Sequence, residues 1–168
     1  TFPNKSGTLA LTSDLITLVA EQSLSSGTSK DFTSIPAGVK RIVLSIIGGS
    51  TNGTSLMIVQ IGDSDGIETT SYTSFVADLG GTGSGPTAAF GIVSAQVAAT
   101  FYTGKVVLEL IEASSNRWTY YSMMQNGSTV YVGTGYKDLS ATLDRVRLTM
   151  TNGTDAFDAG VVDLMYEF

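Results

Sequence analysis

VKRIVLSIIGGSTNGTSLMIVQIG, residues 39–62, is the stretch that decides the fold class. Ile42, Leu44 and Ile46 recur at every second position and share one face, while Arg41, Val43 and Ser45 take the other, which is the period of a half-buried β-strand. A second apolar run, 55–62, follows after Asn52-Gly53, a residue pair typical of the tight turn of a hairpin. We therefore predict a β-hairpin over residues 39–62.

Similar patterns recur along the rest of the chain. Residues 117–125 and 128–135 flank Asn126-Gly127, which predicts a second hairpin. Residues 14–22 are apolar with few breakers, and their periodicity fits either a strand or a short helix. In total the sequence predicts about ten strands, and hence an all-β, antiparallel, jelly-roll-like β-sandwich. Further strands are predicted at 67–80, 87–97, 104–113, 144–151 and 159–168.

Composition excludes several functional classes. The 168 residues include no histidine and no cysteine, which removes Ser-His-Asp and Cys-His catalysis, disulfides and thiolate metal sites. The formal net charge is −6 and no basic stripe is visible, so we expect no nucleic-acid partner. No run of about 20 apolar residues occurs, so we expect no membrane insertion. The polar first 15 residues predict that the chain does not start with a signal peptide.

Three phrases resemble a known family. FPNKSGTLALTSDL (2–15) resembles the end of the shaft in bacteriophage tail-fibre proteins, and residues 26–63 and 138–167 are similar to parts of a tail-fibre C-terminal domain. The resemblance implies the C-terminal receptor-binding domain of a phage tail fibre or tailspike. Residues 1–22 would then be the end of the shaft and a trimerisation linker, and residues 23–168 the β-sandwich head.

The resemblance also implies partners, location and function. The head would be a homotrimer that continues the upstream shaft of the same polypeptide, at the distal end of the virion's tail fibre, and it would fold in the host bacterial cytoplasm. It would bind a bacterial surface glycan, such as O-antigen or capsule, or an outer-membrane protein, without catalysis. We expect trimer contacts to cover outward apolar residues such as Val43, Val107 and Ile111. The alternatives are a C-terminal trimerisation module of a tailspike and a polysaccharide depolymerase.

Aromatic segments supply the candidate receptor-binding residues. On a strand, Trp118 and Tyr120 point to one side and Tyr121 to the other, so that one ring could be exposed and stack on a sugar while Asn and Arg side chains bond its hydroxyls. In the alternative, Trp118 packs in the core. A Gly-Thr-Gly turn between two tyrosines offers a second contact surface. The predicted site consists of Asn116, Arg117, Trp118, Tyr121, Tyr131 and Tyr136.

One acidic segment offers candidate residues for metal binding or for glycoside hydrolysis. Asp63, Asp65 and Glu68 provide hard oxygen ligands near a glycine, but they do not meet the calcium-loop pattern and their number is small. A glycosidase would need two of these carboxyl groups about 5–10 Å apart across a cleft. We interpret the segment as an acidic turn and predict no metal and no cofactor.

Overall fold

The alternating segments form strands in the computed structural model, which describes residues 15–81 and 83–168. No α-helix occurs in these two ranges; a short 3₁₀ helix lies at Ala113–Ser115. Within the described residues, ten strands have four or more residues: β1 Ile16–Ser23, β2 Ser29–Phe32, β3 Arg41–Thr51, β4 Met57–Asp63, β6 Thr73–Asp78, β9 Tyr102–Glu112, β10 Arg117–Gln125, β11 Val130–Asp138, β12 Arg145–Met150 and β13 Phe157–Glu167. Three more strands there have two residues: β5 Gly66–Ile67, β7 Gly83–Ser84 and β8 Phe90–Gly91. The predicted strand at 87–97 is wrong except for β8, and β2 was not predicted.

The strands form two antiparallel sheets. The larger has eight strands in the order β1-β13-β3-β9-β10-β11-β6-β7. The smaller contains β2-β12-β4-β5, with β8 pairing β4. Inward side chains of both sheets share one core, in which Leu44 and Leu108 of the larger sheet cluster with Val59 and Leu148 of the smaller. The all-β class and the antiparallel pairing are confirmed, and the arrangement is consistent with a β-sandwich.

The predicted hairpin over residues 39–62 is wrong. β3 belongs to the eight-stranded sheet and β4 to the five-stranded sheet, so the two strands face each other across the core. The connection between them, residues 52–56, is longer than a two-residue hairpin turn. Both strands are apolar enough to be buried, and partners far away in the sequence provide their hydrogen bonds: β13 and β9 for β3, β12 and β8 for β4.

A second turn between the two sheets is hydrogen-bonded to the β3–β4 turn. The turn after β12 contains Asn152-Gly153 and also carries the chain from one sheet to the other. The two turns are bonded to each other: the amide nitrogen of Asn52 lies 3.0 Å from the carbonyl oxygen of Ala156, and Ser55 N–H donates to Asp155 Oδ2 at 2.9 Å. These joined turns hold one end of the two sheets together.

The hairpin at Asn126-Gly127 is confirmed, with β10 and β11 paired from Arg117↔Asp138 to Gln125↔Val130. The segment 14–22, left open between strand and helix, forms most of edge strand β1, which pairs with β13. The predicted boundary between linker and head at residue 22 therefore falls inside β1, while residues 1–14 lie outside the described part. Within that part, no helix has the length and apolarity needed to cross a bilayer.

Candidate functional site

The outer face of the eight-stranded sheet is apolar along its centre. Cross-strand pairing aligns one outward residue from each of seven neighbouring strands, and only one of the seven is polar. Apolar side chains on the rows beside this one widen the surface. We call this surface the apolar face; its central row is Leu18, Met165, Val43, Val107, Tyr121, Thr134 and Phe75.

Much of the apolar face is open to solvent. Nine of its large side chains are between 38% and 79% exposed: Ile16, Leu18, Ile47, Phe75, Ile111, Tyr121, Met123, Val132 and Tyr136. At about 150–250 Å² for a fully exposed aromatic side chain, and less for an aliphatic one, they present at most on the order of 1,000 Å² in total. The row beside the central one also contains Lys105 and Asp163, so this total is not one uninterrupted patch. The largest apolar patch of a typical monomer is roughly 300–600 Å². Of the residues predicted to need covering, Ile111 is exposed, whereas Val43 and Val107 are already shielded by their neighbours.

Charged side chains border the apolar face at one end of the strands. Arg41 lies 3.5 Å from a carboxylate oxygen of Glu109 and 3.6 Å from one of Glu167. Hydrogen bonding with Tyr121 and the nearby Glu167 and Glu109 carboxylates raise the pKa of Arg41, although burial acts in the opposite direction. The border at this end is therefore a set of half-exposed ion pairs in which one arginine serves two glutamates, so one negative charge is left in excess.

Two of the predicted binding residues form a pair on this border. The Arg117 guanidinium donates to both carboxylate oxygens of Asp138, at 2.6 and 2.8 Å, and lies over the Tyr136 ring, 5.3 Å from its centroid. This bidentate bond lowers the pKa of Asp138. Tyr121 and Tyr136 are both exposed, as the prediction requires of ligand-contacting rings.

Two other predicted residues have their rings in the core. Trp118 is 2% exposed and Tyr131 3% exposed, so neither ring can serve as a stacking platform on the surface of this chain. The alternation of side chains along β10 explains the burial of Trp118, since Trp118 and Tyr120 point inward and Tyr121 outward. Asn116 follows the 3₁₀ helix with a left-handed backbone (φ 48°) and lines a depression of about 250 Å³ whose floor includes Trp118.

The acidic segment forms a buried ion-pair cluster. Ser140 Oγ lies 2.6 Å from Asp63 Oδ2 and 2.8 Å from Glu68 Oε1, and Lys137 Nζ pairs with the other oxygen of Glu68. Lys137 also donates to the carbonyl of Asp138 at 2.6 Å. Sequence reasoning missed Lys137 and Ser140, because only the fold brings them to this segment.

The protonation of this cluster follows from its contacts. The hydroxyl of Ser140 and the amide of Asp65 lower the pKa of Asp63. Burial would raise the pKa of Glu68, but its bonds with Lys137 and Ser140 outweigh burial and lower it. In residues 15–81 and 83–168, no three acidic side chains come together as a metal site. Asp63 is 2% exposed, so it does not face an open cleft as a glycosidase carboxylate must.

The outer face of the five-stranded sheet is polar. Three neighbouring strands align Asp31 on β2, Arg147 on β12 and Gln60 on β4 in one row. Beside this row lies a groove of about 360 Å³, which we call the polar groove; its lining includes Ile58, Gln60, Pro86, Ala88, Arg147 and Thr149. The alternation of Arg145, Arg147 and Thr149 indicates a polar outer face for β12, but no local signal in the sequence indicates which strands lie beside it.

Comparison with protein-family models, with curated proteins and with solved structures finds no match for this chain. Its functional interpretation therefore depends on the structure and on the three segments 2–15, 26–63 and 138–167 that resemble tail-fibre proteins.

Proposed function

We propose that the chain is the head domain of an oligomeric attachment fibre, at the distal end of a bacteriophage tail fibre. In this proposal it binds a bacterial surface glycan or outer-membrane protein and catalyses no reaction. The sequence phrases support the fibre context. The apolar face is the observation that carries the proposal, because it requires a covering partner.

A second copy of the same chain fits the apolar face. A standard protein interface buries about 800 Å² on each partner, which is close to the apolar area exposed here. The half-exposed ion pairs at its border resemble the polar rim of an interface, whereas the apolar central row resembles its core. In a closed ring of three copies, which the tail-fibre resemblance implies, each chain meets two neighbours and the face is divided between two interfaces, without an open end.

This assembly changes the role of the predicted aromatic residues. Tyr121 and Tyr136 lie on the apolar face, so in the proposed trimer they contact a neighbouring subunit. Receptor binding is then left to surfaces that the assembly does not cover. A single site binds a sugar weakly, because the sugar hydroxyls exchange hydrogen bonds with water for hydrogen bonds with protein at little net gain in free energy. Three such sites in one particle bind strongly, because binding at one site raises the effective concentration at the others.

A second candidate is an assembly module, such as the trimerisation domain of a tailspike whose enzyme lies in another part of the polypeptide. The apolar face favours it equally, because trimerisation alone accounts for the face. The candidates differ in whether the isolated trimer adsorbs to host cells. A third candidate, a depolymerase, would degrade capsule or O-antigen on incubation.

The test combines oligomeric state with adsorption. Multi-angle light scattering should give a trimer at micromolar concentration, and the labelled trimer should bind host cells and compete with phage, with no loss of polysaccharide. Two variants separate the apolar face from other exposed apolar residues. The double variant Met123→Glu/Val132→Glu places charges at paired positions of the apolar face and should yield monomers that adsorb weakly. Val97→Glu alters an equally exposed apolar residue outside the strands and should stay trimeric. A monomeric wild-type chain would overturn the proposal, and a trimer that fails to bind cells would favour the assembly module.

A further inference from the structure

We infer that the polar groove binds one uncharged pyranose unit of a glycan, through Arg147 and Gln60, which line it, while Asp31 holds Arg147 in place from beside the groove. The inference rests on the proposed attachment function and assigns it a site. None of these three residues belongs to the site predicted from the aromatic segments.

The row presents donors and acceptors side by side. Arg147 Nε and Nη2 each donate to one oxygen of Asp31, both at 2.7 Å, which holds the guanidinium and the carboxylate in one plane. Gln60 Nε2 donates to the carbonyl of Ala88 at 3.0 Å, so the amide is also fixed. Each sugar hydroxyl both donates and accepts a hydrogen bond. Of the two lining residues, the guanidinium of Arg147 can donate and the side-chain oxygen of Gln60 can accept.

The groove also has an apolar part, since Pro86 lines it beside the cross-strand pair Ile58 and Thr149. Thr149 Oγ1 donates to the carbonyl of Thr28 at 2.8 Å, which leaves its oxygen as an acceptor. Ile58 is only 3% exposed, so carbon-bound hydrogens of a pyranose would pack mainly on Pro86. The volume of about 360 Å³ lies at the small end of the roughly 300–1,000 Å³ typical of ligand sites, which limits the ligand to about one ring.

Charge favours an uncharged sugar. Arg147 is the charged side chain that lines the groove, and its bidentate partner Asp31 neutralises it. Binding a carboxylate of an acidic sugar would require the guanidinium to leave Asp31 or share its bonds. A net charge of −6 on the whole chain adds long-range repulsion of acidic glycans.

The position of the groove agrees with the proposed assembly. It lies on the outer face of the five-stranded sheet, whereas the apolar face belongs to the other sheet, and the shared core separates the two. Covering the apolar face therefore leaves all three grooves of a trimer open to the outside, where one cell surface can engage several of them.

The test is a titration of the ¹⁵N-labelled full chain with methyl glucoside, methyl galactoside and N-acetylglucosamine, and with glucuronate as the acidic probe. We expect millimolar binding of at least one neutral sugar, with amide shifts at 58–60, 87–89 and 147–153. Arg147→Gln and Gln60→Met should weaken binding about tenfold or more, which corresponds to the loss of one good hydrogen bond. Arg145→Gln is the matched control, because Arg145 lies on the same strand as Arg147 and pairs with Asp144 at 3.3 Å but does not line the groove.

Three results would overturn the inference: no shifts with any neutral sugar, shifts located elsewhere, or equal binding by the wild type and both groove variants. Tighter binding of glucuronate would overturn the uncharged-ligand part. Gln60→Met keeps the Asp31–Arg147 bond, so it tests the site even if Arg147→Gln fails to fold. A trimer that adsorbs to cells with both groove variants would reject the groove alone, whereas a monomer whose groove binds sugar would reject the proposed assembly alone.

Discussion

Replacing Lys137 by Met should destabilise the fold strongly, although the side chain lies far from any proposed ligand. Lys137 is almost fully buried, pairs with Glu68 and lies over the Tyr72 ring, 5.6 Å from its centroid. Methionine has a similar shape but no charge, so the variant keeps the packing and leaves the Glu68 carboxylate without its cation.

The expected cost follows from the exposure of the carboxylate. Removing one partner of a buried ion pair costs about 3–5 kcal/mol, because the other charge stays uncompensated. The Glu68 side chain is 21% exposed and can recruit water, so we expect the lower end, about 3 kcal/mol. For a domain of this size that corresponds to a fall in melting temperature of roughly 6–12 °C. The double variant Lys137→Met/Glu68→Gln should recover part of the loss, since it removes both charges.

Urea unfolding followed by the fluorescence of Trp118, the single tryptophan, measures the effect. Protein concentration must be held fixed, because assembly changes apparent stability. Arg117→Met is the control, since it breaks an ion pair whose two side chains are 41% and 43% exposed and should change the midpoint little. The reasoning is refuted if Lys137→Met unfolds no earlier than Arg117→Met, or if the double variant is less stable than Lys137→Met.

Three further predictions concern other parts of the structure. Ser140→Ala should move acid unfolding, followed by circular dichroism, to higher pH. The Ser140 hydroxyl helps to lower the pKa values of Asp63 and Glu68 in the folded chain. The stability that these carboxylates contribute is present above their unfolded-state pKa of about 4 and is lost as the pH falls through their folded-state pKa. An unchanged midpoint would contradict this. Gly160→Ala should cost roughly 3 kcal/mol in urea unfolding, because the φ of Gly160 is 97° and a Cβ would lie 2.3 Å from a backbone oxygen of β3. Gly127 also has a positive φ but lies in open space, so Gly127→Ala should cost about 1 kcal/mol. Equal losses would reject the steric argument. Trp118→Ala removes a core side chain and should lower the unfolding free energy by about 3–5 kcal/mol. Tyr121→Ala should weaken assembly and leave monomer stability nearly unchanged. The reverse pattern would refute the burial of Trp118 and the exposure of Tyr121.

Sequence reasoning predicted the features of the fold that depend on near neighbours. The β10–β11 hairpin follows from Asn126-Gly127 because its turn and its two strands are adjacent in the chain. The same residue pair misled us at Asn52-Gly53. There both flanking strands are apolar and find better partners elsewhere, so a turn signal shows where the chain bends but not which strands pair.

The candidate surfaces were predictable to different degrees. Alternation places Tyr121 outward and Trp118 inward, and the outward apolar residues of β3 and β9 already suggested a face that needs covering. The row Asp31–Arg147–Gln60 could not be found in this way, because its three strands are far apart in the sequence and only the sheet order brings them together. The partners of Glu68 escaped prediction for the same reason.

The position of β13 has a consequence for how the chain is made. β13 lies between β1 and β3, and its Val162 pairs with Ile46, 116 positions earlier. At about 5–20 residues per second, translation needs several seconds to cover that distance, and throughout this time β3 lacks one of its two neighbours. The nascent chain therefore carries an apolar strand with an open edge, which other nascent copies could join. A protein truncated before Phe157 would keep that edge permanently, so we expect it to accumulate as aggregates.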